Sequence, residues 1–181
     1  LVKDITQLSS PRRRALIVPI QNYSKAIETF KTVAQNKEYN SKHLAHYYLA
    51  RVYAEQNSKN SKHIKEELNK AIAIKPDFFE ASSMLGQYIQ KENGADAAVK
   101  FYEKLQKEHG PQVKLAEVLS QYYISNNQYD LAYQQLEIVD EAGDDNMQVK
   151  LKMALILIDK KMYDKAIPKL EEILAAAPDS D

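Results

Sequence analysis

The chain has four histidines, and three of them are spaced closely enough to suggest chemistry. His43 and His46 stand three residues apart, which puts both rings on one face of a helix, and His63 follows beyond a polar turn at residues 57–61. Three imidazoles are an attractive set for zinc, copper or nickel. No carboxylate or cysteine joins them at a recognised metal spacing, so they read as ordinary surface histidines, and no metal is expected. The complete lack of cysteine removes a thiolate zinc site, a cysteine nucleophile and a disulfide framework. There is no glycine-rich phosphate loop, no G-x-S-x-G and no H-E-x-x-H, and the carboxylates are scattered over helix surfaces. The chain is therefore read as having no catalytic residue and no cofactor. Arg12, Arg13 and Arg14 have the chemistry to grip a phosphate or an acidic peptide. Three adjacent charges near a chain end are more simply a solvated cluster.

What must position any functional residue is a repeat. Leu85, Leu119 and Met153 stand 34 residues apart, each followed at once by a small residue (Gly86, Ser120, Ala154) and three later by Ile89, Tyr123 or Leu157. Thirteen residues past each leading apolar residue is an alanine (Ala98, Ala132, Ala166), and four beyond that a bulky apolar residue (Tyr102, Leu136, Leu170). Spacings of three, four and seven are those of amphipathic helices, and a fixed stride of this length means one helical hairpin per unit. Low glycine and proline with 44% hydrophobic and 28% charged residues fit a folded helical chain. The longest apolar run, near 153–158, is far too short to span a membrane.

The units can be drawn along the chain. Residues 1–21 form an irregular N-terminal segment with a short helix starting at Ser10-Pro11 and interrupted by Pro19. A half repeat occupies 22–40, with Ala26, Phe30 and Val33 on one face. Full repeats follow at 41–76, 77–110, 111–144 and 145–178. Leu49 to Ile64 is fifteen residues where later units have thirteen, so two residues are inserted in the turn at 57–61, where a repeat tolerates them. Pro76, Asn93-Gly94, Gly110-Pro111 and Asn126-Asn127 mark helix ends and turns.

These residues resemble the tetratricopeptide repeat family, whose unit carries a W-x2-L-G-x2-Y…A-x3-F…P pattern. The best match here is Ser82-x2-Leu85-Gly86-x2-Ile89 followed by Ala98-x3-Tyr102, with Pro76 and Pro178 closing units. Small residues at Ala50, Gly86, Ser120 and Ala154 meet Ala26, Ala98, Ala132 and Ala166 where helices approach closely. The chain departs from the family in having no tryptophan, in Ile64 where alanine is expected, and in Lys150 where a large aromatic is usual. The resemblance implies an all-α, right-handed superhelical solenoid of helix-turn-helix hairpins, with a concave groove lined by first helices that binds a partner peptide or helix. The groove positions outside the packing columns are Tyr47, Arg51 and Glu55; Ser83, Gln87, Gln90 and Lys91; Glu117, Gln121 and Ile124; and Leu151, Leu155 and Ile158. Amides among them suit the backbone of an extended peptide, and the aliphatic end suits an amphipathic helix. The family's carboxylate clamp for chaperone tails needs lysine, arginine and asparagine at set positions. Too few of those positions match here, which argues against that role.

The last first helix, 147–160, is apolar almost all round and therefore expects cover on several sides. A following repeat absent from this sequence is the first explanation, a self-association surface the second, and a bound partner helix the third. The net charge is zero, yet residues 1–76 hold 14 Lys or Arg against 6 Asp or Glu, while 77–181 hold 11 against 19. This +8 and −8 polarity bears on partner steering. The leading functional expectation is a non-enzymatic scaffold or adaptor that binds a protein partner. The alternatives are a helical-repeat RNA-binding protein using the basic half, disfavoured because the one-base-per-repeat codes of such proteins need a different unit and because Tyr53, Tyr102, Tyr123 and Tyr129 of the twelve tyrosines occupy core columns or turn-packing places, and a self-associating scaffold. Cytoplasm and bacterial periplasm are both compatible.

Overall fold

The computed structural model describes residues 23–36, 38–56, 61–143 and 146–176. The Ser10-Pro11 helix start, Arg12 to Arg14, the turn residues 57–60, Asp144-Asp145 and Pro178 lie outside the described residues. Among those described there are nine α-helices and no strand: α1 Tyr23–Gln35, α2 Lys42–Gln56, α3 Ser61–Ile74, α4 Phe79–Asn93, α5 Ala95–His109, α6 Val113–Ser125, α7 Tyr129–Glu141, α8 Met147–Asp159 and α9 Tyr163–Ala176. The chain divides into two compact units, Leu1–Ala95 and Asp96–Asp181.

In the first unit α1 packs on α2, α2 and α3 form a hairpin, and α3 packs on α4. The seam of that hairpin is closed by Leu49, Ala50, Ile64, Leu68 and Ala71, none more than 1% exposed. Ile64, standing where the resemblance expects alanine, is fully buried, so the departure in residue type still fills the core. Lys75 leaves the helix before Pro76, and Gly94 ends α4 with φ +90°, a conformation open to glycine at no steric cost.

In the second unit α6 and α7 form one hairpin, α8 and α9 another, and α7 packs on α8. Leu115, Ala116, Leu119, Ala132 and Ala154 are completely buried, and Leu136 and Met153 are 1% exposed. Ser120, in the small-residue column, is buried and returns its hydroxyl to the Glu117 carbonyl at 2.9 Å, so its own polar group is satisfied despite the close packing. The two hairpin turns are congruent at the 34-residue stride. Asn127 and Lys161 both take the left-handed conformation (φ 56° and 59°), and the next amides, Gln128 and Met162, each donate 2.8 Å bonds to Tyr123 and Leu157. Asparagine tolerates that conformation; lysine adopts it against its preference.

Capping and ion pairs finish the second unit. Asn146 caps α8 by accepting from the Gln148 amide at 3.1 Å. Lys150, in the position of the usual aromatic, packs its stem with only 17% of the side chain exposed and sets its ammonium 2.8 Å from Glu172. Lys169 pairs with Asp140 at 2.9 Å, and Lys160 pairs with Asp130, so charged contacts join α7 to the last hairpin. Pro168 sits inside α9 and removes one helical donor there. In that helix Ala166 is buried, whereas Leu170 and Ile173 are half-buried.

Candidate functional site

In the first unit the candidate positions are set by α2 and α4. Tyr47 and Arg51 lie one turn apart on α2 and are half-buried. Tyr47 meets Tyr48 edge-on at 5.5 Å and Phe78 at 5.2 Å, while Phe78 also meets His43 at 5.0 Å. Tyr48 stacks on Phe30 of α1 at 5.7 Å. The Arg51 guanidinium stands 5.9 Å from the Tyr47 ring centre and 6.0 Å from that of Tyr48, within cation–π range. On α4, Gln87 and Gln90 are exposed and Ser83 is half-buried. Glu55 and Lys91, near the ends of α2 and α4, are exposed.

Burial tunes the titratable members of this cluster. It pushes the Tyr47 phenol above its ordinary range, with the Arg51 charge opposing and Glu80 assisting. Burial also lowers His43, helped by Lys75 and opposed by Asp77 and Glu80. Both shifts favour the neutral form. The three histidines do not converge. His43 edges Phe78, His63 lies against Tyr53, and His46 pairs through Nδ1 with Glu67 at 2.6 Å. His46 is not the surface residue its sequence suggests, because only 15% of its side chain is exposed and Glu67 is itself buried. Lys70 completes the arrangement at 2.6 Å from the other Glu67 oxygen.

In the second unit Glu117 and Gln121 on α6 are exposed and Ile124 is half-buried. On α8, Leu151 is 44% and Leu155 52% exposed, with Ile158 half-buried. Sequence reasoning passed over Met147, one turn before Leu151, and Ile167, Leu174 and Tyr163 on α9. These belong with Leu151 and Leu155, because six of the nine exposed large apolar residues among those described lie in this last hairpin. A helical-wheel count of α9 would have found the last three. The tyrosines behave differently: Tyr102 and Tyr123 are buried, and Tyr123 donates to the Glu103 carboxylate. Burial first, and that bond second, raise its phenol well above the ordinary tyrosine range.

Paired helices, turns congruent at a 34-residue stride and small residues where helices meet make an all-α fold of helical hairpins, the fold that the tetratricopeptide resemblance implies. The chain is similar to the crystal structure of MamA, with a TM-score of 0.55 and 16% identity over 97% of this chain and 95% of that one. It is similar also to MamA of strain AMB-1, with a TM-score of 0.51 and 17% identity over 87% and 90% of the two chains. A further crystal structure of MamA protein matches with a TM-score of 0.53 and 17% identity over 91% and 86%. At these identities the likeness establishes the fold. No family model and no curated protein sequence matches the chain.

Proposed function

We propose that this chain is a non-enzymatic protein-interaction module, a scaffold or adaptor that takes a partner peptide or helix on the first-helix faces of its repeats. The observation that carries the reading is a division of labour along single helices. In α8, Met153, Ala154 and Leu157 are spent on packing, while Leu151 and Leu155 of the same helix face solvent. In α6, Leu119 and Ser120 are buried and Gln121 is exposed. Residues that hold the fold and residues available to a partner are thus different sets, as a binding module requires. The test is a photo-cross-linking amino acid placed in turn at Tyr47, Gln87, Gln121 and Leu155 in the native host. Capture of the same partner proteins from these positions, and not from exposed Lys104, supports the reading. No protein captured from any of the four rejects it.

A second reading, self-association, is favoured by the apolar exposure concentrated on α8 and α9. Exposed apolar patches of this kind mark interaction sites. It predicts a mass above that of the monomer by light scattering, falling when Leu155 and Ile167 are changed together to serine. A monomer at all concentrations excludes it.

A further inference from the structure

We infer that the cavity between α7 and the turn joining α8 to α9 is a binding site for a tyrosine side chain presented by a partner polypeptide. The cavity has a volume of about 410 Å³, at the small end of the roughly 300–1,000 Å³ of ligand pockets. Asp130, Tyr133 and Glu137 of α7 line it, with Leu157 of α8, Lys160 and Met162 of the turn, and Lys165 of α9. None of these is a first-helix groove position, so the site stands or falls independently of the reading above.

The chain itself shows what fills such a space. One 34-residue stride earlier Tyr123 stands where Leu157 does and Glu103 where Glu137 does, and the Tyr123 phenol donates to the Glu103 carboxylate. Tyr123 and Leu157 are equally buried, at 3% and 4% exposed. The same place in the fold thus carries a ring and a hydroxyl in one unit and a shorter aliphatic side chain in the other. Leucine stops short of the carboxylate, and the room it leaves is the cavity. Tyr133, where the earlier unit has Val99, adds a wall and leaves the space open.

The polar groups on the wall select the ligand. Asp130 is taken by Lys160, as Asp96 is taken by Tyr122 one stride earlier. Glu137 is exposed and, among the described residues, accepts no hydrogen bond and joins no ion pair. One acceptor is therefore open beside the apolar surface of Leu157 and Met162. A phenol answers both, because its ring is apolar and its hydroxyl donates. A phenylalanine ring would desolvate Glu137 without giving it a donor. A lysine or arginine would set a second cation against the Lys165 ammonium, which also has no side-chain partner among the described residues. That ammonium is instead a donor for a backbone carbonyl of the segment that carries the tyrosine.

The experiment uses the full chain, isotopically labelled, titrated with acetyl-Ala-Tyr-Ala-amide, with its Phe counterpart and with p-cresol, following the Met162 methyl and the Tyr133 ring by NMR. The Tyr peptide is expected to shift both signals and to bind about fivefold or more tightly than the Phe peptide. It should also bind more tightly than p-cresol, which offers Lys165 no carbonyl. Glu137→Ala, at an exposed position, should erase the preference for Tyr over Phe. Tyr133→Val combined with Leu157→Tyr gives this unit the residues of the preceding one, and should close the cavity and abolish binding of all three probes. Circular dichroism checks the fold of both variants; should the double variant not fold, Glu137→Ala decides alone. Equal affinity of the two peptides, no binding of either at millimolar concentration, or a preference for Tyr kept in Glu137→Ala would overturn the inference. So would full binding by a folded double variant. Binding of p-cresol as tight as that of the Tyr peptide would overturn the assignment to a polypeptide and make this a site for free phenols.

Discussion

Leu155 and Leu157 are two residues apart on α8 and point to opposite sides of it, so the same substitution separates packing from presentation. Leu157 is 4% exposed and Leu155 52%. Leu→Ala deletes three carbons, about 2.4 kcal/mol of transfer free energy at full burial. For Leu157 nearly all of that is lost, and a cavity is left that the surrounding helices fill only in part. The cost should fall in the range of roughly 2.7–5 kcal/mol seen for buried leucines. For Leu155 about half the area is already in water, so the transfer loss is about 1 kcal/mol, no closed cavity forms, and the slightly better helix propensity of alanine offsets a few tenths. The propensity change is common to both sites and cancels in the comparison. Leu157→Ala should therefore destabilise by about 2–4 kcal/mol more than Leu155→Ala. Urea unfolding followed by circular dichroism measures the difference. Amide exchange in α8 and α9 resolves it should the terminal hairpin open ahead of the rest, as repeat arrays permit. Equal costs at the two sites would refute the assignment of Leu155 to the exposed face and, with it, the reasoning that separates partner-facing from packing residues.

Three further outcomes follow from local geometry. Asn146→Ala removes the side-chain acceptor at the start of α8 and should cost about 1 kcal/mol, seen as faster exchange of the Gln148 amide. Lys161→Gly relieves a left-handed lysine at the α8–α9 turn and should stabilise the last hairpin by about 0.5–1 kcal/mol, seen as a raised urea midpoint; no gain would mean the turn is unstrained. Tyr123 has a folded-state pKa above its ordinary value of 10.0. Above about pH 10 the unfolded state therefore binds fewer protons than the folded one, and stability should fall as pH rises. Tyr123→Phe should flatten that alkaline decline in urea midpoints measured from pH 8 to 11, at the cost of the bond to Glu103.

Much of this architecture is legible in the residues alone. Ala50, Ser120 and Ala154 recur beside Leu49, Leu119 and Met153, and all six are buried to within 2% exposure. Side-chain volume at a helix crossing is decided by the residue itself, so a repeat of small residues reports a repeat of close approaches. The all-round apolar pattern of α8 likewise foretold an excess of exposed aliphatic surface. The surroundings of Tyr47 and Arg51 were not legible, because Phe78 is 31 residues from Tyr47 in sequence and reaches it through the α2–α3 hairpin. His46 and Glu67 are 21 residues apart and carry no local signature of their pairing. Lys161 resembles any other surface lysine in sequence; only its φ reveals the strained turn.

The sequence by itself determined the period, the helices, their turns and the columns that pack them, since each of these depends on residues within a few turns of one another. The tertiary structure decided which flanks of those helices stay uncovered and what stands beside them. A helical pattern specifies a face but not its neighbour. The brace under Arg51, the buried Glu67 and the bare aliphatic side of the last hairpin therefore depend on contacts that sequence spacing does not encode.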